Sequence, residues 1–154
     1  MSVIINGDSV ITSPLSVGFG GGNDIYSVAM GLSALAANTT GLYNTAVGQS
    51  SLNKNTIGQE NVAVGQASMY NNTTGSFNTA IGTSALTTNV SGSNNAAVGD
   101  GALATNTASN NTAVGRQALY LNTTGTPNDA FGYQALYSNT TGYNNAAFGY
   151  QALG

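Results

Sequence analysis

The chain has 154 residues, of which only 5% are charged, with a formal net charge of -3 and no histidine or cysteine. Its two isolated cations, Lys54 and Arg116, cannot supply the clustered positive charge that nucleic acid or anionic lipid attracts. Without histidine or cysteine, the usual general base, the thiol nucleophile and a disulfide framework are all missing, so the composition argues against an enzyme.

Residues 1–28 come first and do not follow the pattern of the rest. Two β-branched runs flank an Asn-Gly pair, which predicts a β-hairpin. The two runs consist of Val3, Ile4, Ile5, Val10 and Ile11. A glycine-rich connection follows at residues 18–23. We predict a separate capping or attachment segment, because a solenoid needs a terminal element that differs from its body.

Residues 29–154 repeat one unit, A-Φ-G-x-x-A-L-x-x-N-T-T-G-x-x-N-x, in which Φ is Met, Val, Ile or Phe. The glycine after Φ, here called the bend glycine, recurs at a constant spacing, except that one 16-residue unit is a single residue shorter than the others. The bend glycines are Gly31, Gly48, Gly65, Gly82, Gly99, Gly115, Gly132 and Gly149. Self-similarity at a fixed short period is typical of a solenoid, in which each coil packs only on its neighbours.

Each unit is predicted to be extended. Around Val47 the side chains alternate, and glycine, asparagine and threonine recur too often to leave a window of about ten residues for a helix. We predict an all-β parallel β-roll of about seven 17-residue coils. Each coil should have one strand over N-x-A-Φ, a second over A-L-x, and glycines with positive φ in both turns. The Φ residues, including Phe131 and Phe148, are expected in the core.

One asparagine in each N-T-T-G return turn is expected to hydrogen-bond to its counterpart in the next coil, as in cross-β stacks. This ladder consists of Asn38, Asn55, Asn72, Asn89, Asn106, Asn122 and Asn139. The 16-residue unit lacks the turn glycine, so its turn near Ser109 is expected to be tighter than the others. The Asn-x-Thr/Ser sequences that the template creates are interpreted as structural.

Aromatic residues concentrate in the last third of the chain. Tyrosines placed after the bend glycine or after A-L should stack into an exposed ladder, which offers a saccharide or a protein a large area with a polar tip. The candidate receptor contacts are Tyr133, Tyr137, Tyr143 and Tyr150. Packing of these rings over the distal coils is the alternative interpretation.

The repeats themselves resemble a known family. The strings NTAVG, NTAIG and NTTGYNNAAFGYQAL are similar to the head repeats of trimeric autotransporter adhesins, and more closely to their longer-turned form in bacteriophage tail-fibre proteins. The resemblance covers about residues 27–154 and implies a left-handed parallel β-roll, a homotrimer and a role in attachment. An apolar strip left exposed on so thin a coil would also favour association along its length.

We therefore expect a structural, non-enzymatic virion protein: a trimeric phage tail or head-surface fibre without cofactor or metal, made in the host cytoplasm. It should bind another virion protein through residues 1–28 and a host-surface glycan or protein through its distal coils. No contact with nucleic acid and no membrane insertion are expected.

Four alternatives stay open: a capsid decoration or cement protein, a bacterial surface adhesin head, an ice-binding solenoid, and a solenoid polysaccharide lyase or hydrolase. Adjacent threonines such as Thr73 and Thr74 would face opposite ways in an extended segment, which counts against a flat ice-binding array. The shortage of acids and bases counts against the lyase or hydrolase.

Overall fold

The computed structural model describes residues 17–18 and 25–154, which form one nine-stranded sheet and, within those ranges, no helix. The predicted hairpin, with Val3, Ile4, Ile5, Val10 and Ile11, lies outside the described residues. The strands are β1 Val17–Gly18, β2 Val28–Met30, β3 Thr45–Val47, β4 Val62–Val64, β5 Thr79–Ile81, β6 Ala96–Val98, β7 Asn111–Val114, β8 Asn128–Phe131 and β9 Asn145–Phe148.

The strands pair in sequence order. β1 is antiparallel to β2, and β2 to β9 are parallel, each hydrogen-bonded to the next. Pairing advances by one repeat per strand, since Ala46 lies beside Ala63 and Ala63 beside Ala80. The predicted all-β solenoid of about seven coils is therefore confirmed.

The 16-residue unit leaves this register intact. Ala97 pairs with Ala113, the equivalent residue one coil later, although the chain between them is one residue shorter than in the other coils. The strand and bend thus keep their places, and the missing residue is absorbed in the return turn.

The interior of the coil is narrow, and its apolar side chains come from the A-Φ and A-L pairs. The alanine of each A-Φ pair points inward, as at Ala46 and Ala80, both fully buried. The A-L pair supplies the others: Leu52, Met69 and their equivalents are fully buried through Leu119, Leu136 is nearly so, and Leu153 in the last coil is 67% exposed. Because protein interiors are close-packed, a row of methyl groups facing a row of leucines sets the thickness of the roll.

The expectation that the Φ residues lie in the core of the chain is wrong. Side chains alternate across a strand, and since the alanine takes the inward place, Φ points outward. Ile81 is 41% exposed and Phe148 is 69% exposed. Phe131 stacks on Phe148 along the outer face, with ring centroids 4.9 Å apart. The outward residues form one axial line, here called the Φ row: Met30, Val47, Val64, Ile81, Val98, Val114, Phe131 and Phe148.

The predicted second strand over A-L-x is also wrong, because this segment lies in a turn in which two residues, the leucine and the residue two before it, are left-handed. In one coil these are Gln117, with φ 58°, and Leu119, with φ 50°. A non-glycine residue is uncommon at such angles, and a β-branched one is a genuine outlier. This explains why the buried bend position holds Leu or Met in every coil and never Val or Ile.

The two glycines of each coil serve different purposes. Bend glycines such as Gly48, with φ 127°, occupy a region that L-residues rarely adopt. Positive φ was also predicted for the return-turn glycine, and this is wrong for Gly58 and its equivalents. There glycine is required by close approach, since a Cβ on Gly58 would overlap the carbonyl of Gly75 and the side chain of Asn55.

Candidate functional site

The return turns are held by the first asparagine ladder. The Asn72 amide nitrogen donates to Asn55 Oδ1 at 2.8 Å and to the carbonyl of Gly75 at 2.9 Å. Asn72 Oδ1 accepts in turn from Asn89 Nδ2 at 2.9 Å. Each residue thus closes its own turn and bonds the coil before it. The predicted members join in two runs, Asn38, Asn55, Asn72 and Asn89, and then Asn106, Asn122 and Asn139.

A second asparagine ladder, which sequence reasoning missed, runs beside the strands. Asn61 Nδ2 donates to Asn44 Oδ1 at 3.1 Å and to the carbonyl of Gly75 at 2.9 Å, and the Asn61 backbone N–H donates to the same Asn44 Oδ1. The sequence does contain a signal for this ladder. The asparagine stands two residues before the inward alanine, and residues two apart in a strand lie on the same face, here the buried one. Its members are Asn44, Asn61, Asn78, Asn95, Asn111, Asn128 and Asn145.

Both ladders are interrupted at the 16-residue coil. Asn106 Nδ2 donates to the carbonyl of Ala108, two residues away, in the tighter turn near Ser109. It therefore does not reach Asn89 Oδ1, which is the one buried side-chain polar atom without a hydrogen-bond partner in the described part of the chain. The Asn111 amide turns to Asn106 and Ser109, leaving only its backbone N–H bonded to Asn95 Oδ1. This interface lacks the bonds between asparagine side chains that join the other coils.

The four candidate tyrosines do not form a single ladder. Tyr133 stacks on Tyr150, with centroids 5.2 Å apart and planes inclined by 13°. Tyr137 stacks instead on Tyr120, with centroids 5.4 Å apart and planes within 3°. Tyr143 is 70% exposed and belongs to neither stack. The structure thus places three of the four candidates in two separate rows and leaves Tyr143 outside both.

The row that contains Tyr133 and Tyr150 begins with the ion pair of the distal coils. Arg116 Nε lies 3.2 Å from Asp100 Oδ2, and both side chains are about half exposed. The Arg116 guanidinium also lies 5.8 Å from the centroid of the Tyr133 ring. An exposed ion pair contributes little to stability, so the fold depends little on the contact between Arg116 and Asp100.

A glutamine row, also missed from the sequence, lies in the last three bends. Gln134 Nε2 donates to Gln117 Oε1 at 2.9 Å, and Gln151 Nε2 donates to Gln134 Oε1 at 3.0 Å. The signal was the recurrence of Q-A-L at these bends. Each amide nitrogen has a second N–H and each oxygen a second lone pair, so the row retains capacity to bind a polar ligand.

The described residues hold no group of three or more acidic, histidine or cysteine side chains that could bind a metal. Glu60, Asp100 and Asp129 lie exposed on separate coils. Within residues 17–18 and 25–154 no helix is long and apolar enough to cross a membrane.

Compared with known proteins, the chain matches no family model, no curated protein and no solved structure. The resemblance to adhesin-head and tail-fibre repeats therefore depends on the repeat residues, and the structure supports it at the level of a parallel β-solenoid with 17-residue coils.

Proposed function

We propose that the chain is the subunit of a trimeric bacteriophage fibre that attaches the virion to its host. The observation that carries this proposal is the Φ row, a continuous apolar line, mostly of Val, Ile and Phe, on the outer face of the sheet. Soluble proteins rarely leave so long an apolar strip in contact with water, and such strips mark interaction surfaces.

A second copy of the same chain suits this surface well. The Φ row repeats with the coil spacing, so a parallel copy presents the same side chains at the same spacing. Identical subunits related by rotational symmetry form a closed assembly and leave no open end for further growth. The number three, and the left-handed sense of the coil, come from the resemblance to the adhesin and tail-fibre repeats.

The rest of the molecule suits a stiff support. Two asparagine ladders bond coil to coil in the interior, and the exposed aromatic rows lie in the C-terminal coils. Residues 1–28 then join the fibre to another virion protein, and the distal coils contact a glycan or protein of the host surface.

Three measurements on the phage that encodes the chain test this assignment. Mass spectrometry of purified particles should detect the chain, and antibodies against it should label fibres in electron micrographs. Purified protein added in excess should slow adsorption of the phage to its host. Absence of the chain from particles that still adsorb would contradict the proposal.

The adsorption measurement also separates the nearest alternative. A decoration or cement protein would be present on the particle, but the free protein would not compete for the host. The ice-binding alternative is weakened by the turn threonines, because the Thr56 hydroxyl donates to the carbonyl of Thr73 and Thr73 donates to that of Val90. Those hydroxyl protons are used within the protein.

A further inference from the structure

The residue before each asparagine of the second ladder, here called the entry residue, has a left-handed backbone in every coil but that of Pro127. In the C-terminal half this residue is Asn94, Asn110 or Asn144, with φ between 56° and 61°. Asparagine is a usual non-glycine residue at such angles, because its short polar side chain can hydrogen-bond locally. The N-terminal coils carry large side chains there, Tyr43, Glu60 and Phe77, with φ between 55° and 59°.

The two aromatic entry residues are strained and gain little burial in return. A bulky side chain on a left-handed backbone costs free energy. Packing does not offset that cost, since Tyr43 is 53% exposed and Phe77 is 51% exposed. Strained residues of this kind occur at ligand clamps and other functional sites. The fold itself therefore does not explain these two rings.

Glu60 lies between the two rings along the axis of the coil. Tyr43 is the entry residue one coil before it and Phe77 the entry residue one coil after it, so the rings are two strand spacings, about 10 Å, apart. Tyr26 packs on Tyr43 from the preceding coil, with ring centroids 5.1 Å apart. The Glu60 carboxylate is exposed and makes no hydrogen bond or ion pair within residues 17–18 and 25–154.

The other carboxylates in the described part of the chain lack this setting. Asp100 lies 3.2 Å from Arg116 in an ion pair. Asp129 lies in β8 between Thr112 and Ala146 of the neighbouring strands, neither of which is aromatic. Among the described acidic residues, only Glu60 is both unpaired and bordered by rings.

An open surface cavity of about 480 Å³ lies beside Glu60, and the described residues that line it are Tyr43, Glu60 and Val62. Val62 is half-buried and adds an aliphatic wall. An aromatic ring, an aliphatic wall and a carboxylate together suit a cation on an apolar stem. A guanidinium stacks flat on an aromatic ring and donates two parallel hydrogen bonds to a carboxylate, while its methylene stem packs on apolar surface.

A second copy of the chain does not supply this cation. The only basic side chains are Lys54 and Arg116. Arg116 is already ion-paired and lies several coils further along the axis. Lys54 donates to Asn71 Oδ1 at 2.9 Å and lies midway between β3 and β4 along the chain, on the side of the coil away from the sheet. A parallel copy that packs on the Φ row therefore brings no cation to Glu60.

We propose that Tyr43, Glu60 and Val62 form a docking site for an arginine side chain of a different protein. The guanidinium donates to the Glu60 carboxylate and stacks on the Tyr43 ring, and its methylene stem packs on Val62. Phe77 borders the site on the other side of Glu60. The inference goes beyond the proposed function, because it assigns a basic protein partner to the N-terminal coils whether or not the chain belongs to a virion.

Binding is tested by nuclear magnetic resonance on the whole isotope-labelled chain, in the assembly that it forms in solution. The probe is Nα-acetyl-arginine methylamide, and its uncharged counterpart is Nα-acetyl-citrulline methylamide. The arginine probe should shift the amide signals of Tyr43 and Glu60 with a dissociation constant of millimolar to tens of millimolar, as one exposed ion pair with a cation–π contact provides. The citrulline probe should not shift them. The corresponding lysine probe should bind more weakly than arginine, because an ammonium group is not planar.

Two variants and a matched control separate this site from general attraction of cations to an acidic protein. Glu60→Gln keeps the size of the side chain, removes its charge and should weaken binding of the arginine probe at least fivefold. Tyr43→Asn introduces the residue that the C-terminal coils use and should weaken binding roughly threefold. It should not lower the unfolding midpoint, because relief of the left-handed strain offsets the lost contact with Tyr26. The control is Asp129→Asn, which removes another exposed negative charge and should leave the affinity unchanged.

The outcomes separate this inference from the proposed function. Equal shifts with the arginine and citrulline probes, tighter binding of the lysine probe, or equal losses for Glu60→Gln and Asp129→Asn would overturn the arginine site. A lower unfolding midpoint for Tyr43→Asn would show that the ring serves the fold, and would overturn it as well. Absence of the chain from virus particles would overturn only the proposed function.

Discussion

Replacing Asn72 with alanine removes one complete link of the first asparagine ladder. The side chain is fully buried, and its loss leaves two groups without partners, Asn55 Oδ1 and one N–H of Asn89, while the carbonyl of Gly75 keeps its bond from Asn61. A buried polar group that loses its partner costs about 1–3 kcal/mol. Taking the lower half of that range for each of the two groups, we expect Asn72→Ala to lower the free energy of unfolding by about 2–4 kcal/mol.

The matched control is Asn71→Ala, one residue earlier in the same turn. Asn71 is only half-buried, donates to the carbonyl of Thr87 at 3.1 Å and accepts from Lys54. Its loss should cost less than about 1 kcal/mol, because water replaces the lost partners. Chemical denaturation followed by far-ultraviolet circular dichroism measures both variants at one protein concentration, since association of chains makes stability concentration-dependent.

The difference between the stability losses of Asn72→Ala and Asn71→Ala tests the role of the first asparagine ladder. Equal losses for Asn72→Ala and Asn71→Ala, or a loss below about 1 kcal/mol for Asn72→Ala, would refute the claim that buried asparagine ladders hold the coils together.

Three further predictions follow from the bend, the 16-residue coil and the Φ row. Leu86 has φ 53° and is fully buried. Leu86→Ile should therefore lower the free energy of unfolding by about 2–3 kcal/mol, and Leu86→Met by less than about 1.5 kcal/mol. Equal losses of the two variants in chemical denaturation would contradict the importance of the left-handed bend. Inserting one threonine after Thr107 together with Ala108→Gly restores the N-T-T-G turn and lets Asn106 reach Asn89 Oδ1. This variant should be more stable than the native chain by about 1–2 kcal/mol. Unchanged stability would show that the interruption of the asparagine ladders at the 16-residue coil has no cost. Ile81→Asp in the Φ row should yield monomers in sedimentation analysis, whereas Thr83→Asp, at an outer position two residues later, should not. If both variants or neither of them dissociate the assembly, the interface between chains does not lie on the Φ row.

The repeat period made the architecture predictable from sequence. The constant spacing of the bend glycines, with its single short interval, fixes the number of coils, and the recurrence of asparagine before each inward alanine fixes the strands. The first asparagine ladder could be expected because identical residues at one period must meet in a stack. Local periodicity thus carries over to the fold with little ambiguity.

Hydrophobicity alone does not predict which side chains of the strand point into the interior. Val47 is more apolar than Ala46, yet Ala46 is buried, because the narrow interior leaves space only for a methyl group on that side. The bend was misread for a related reason: left-handed backbone at Gln117 and Leu119 has no apolar signature. The available signal was that the position of Leu119 holds Leu or Met and never Val. That preference can be interpreted only when the φ angle is known.

The sequence also did not predict which tyrosine rings stack on each other. Tyr133 and Tyr137 belong to the same bend, but each stacks on its counterpart in an adjacent coil, in its own row. The geometry between coils, which the spacing within one coil does not contain, therefore decides which rings stack.

The central claim is that the outward Φ row is covered by further copies of the same chain. Sedimentation equilibrium of the whole protein at micromolar concentration measures this most directly. The account predicts a single species of three times 15.4 kDa. A stable, well-folded species of 15.4 kDa would contradict it, because the Φ row would then remain exposed to water.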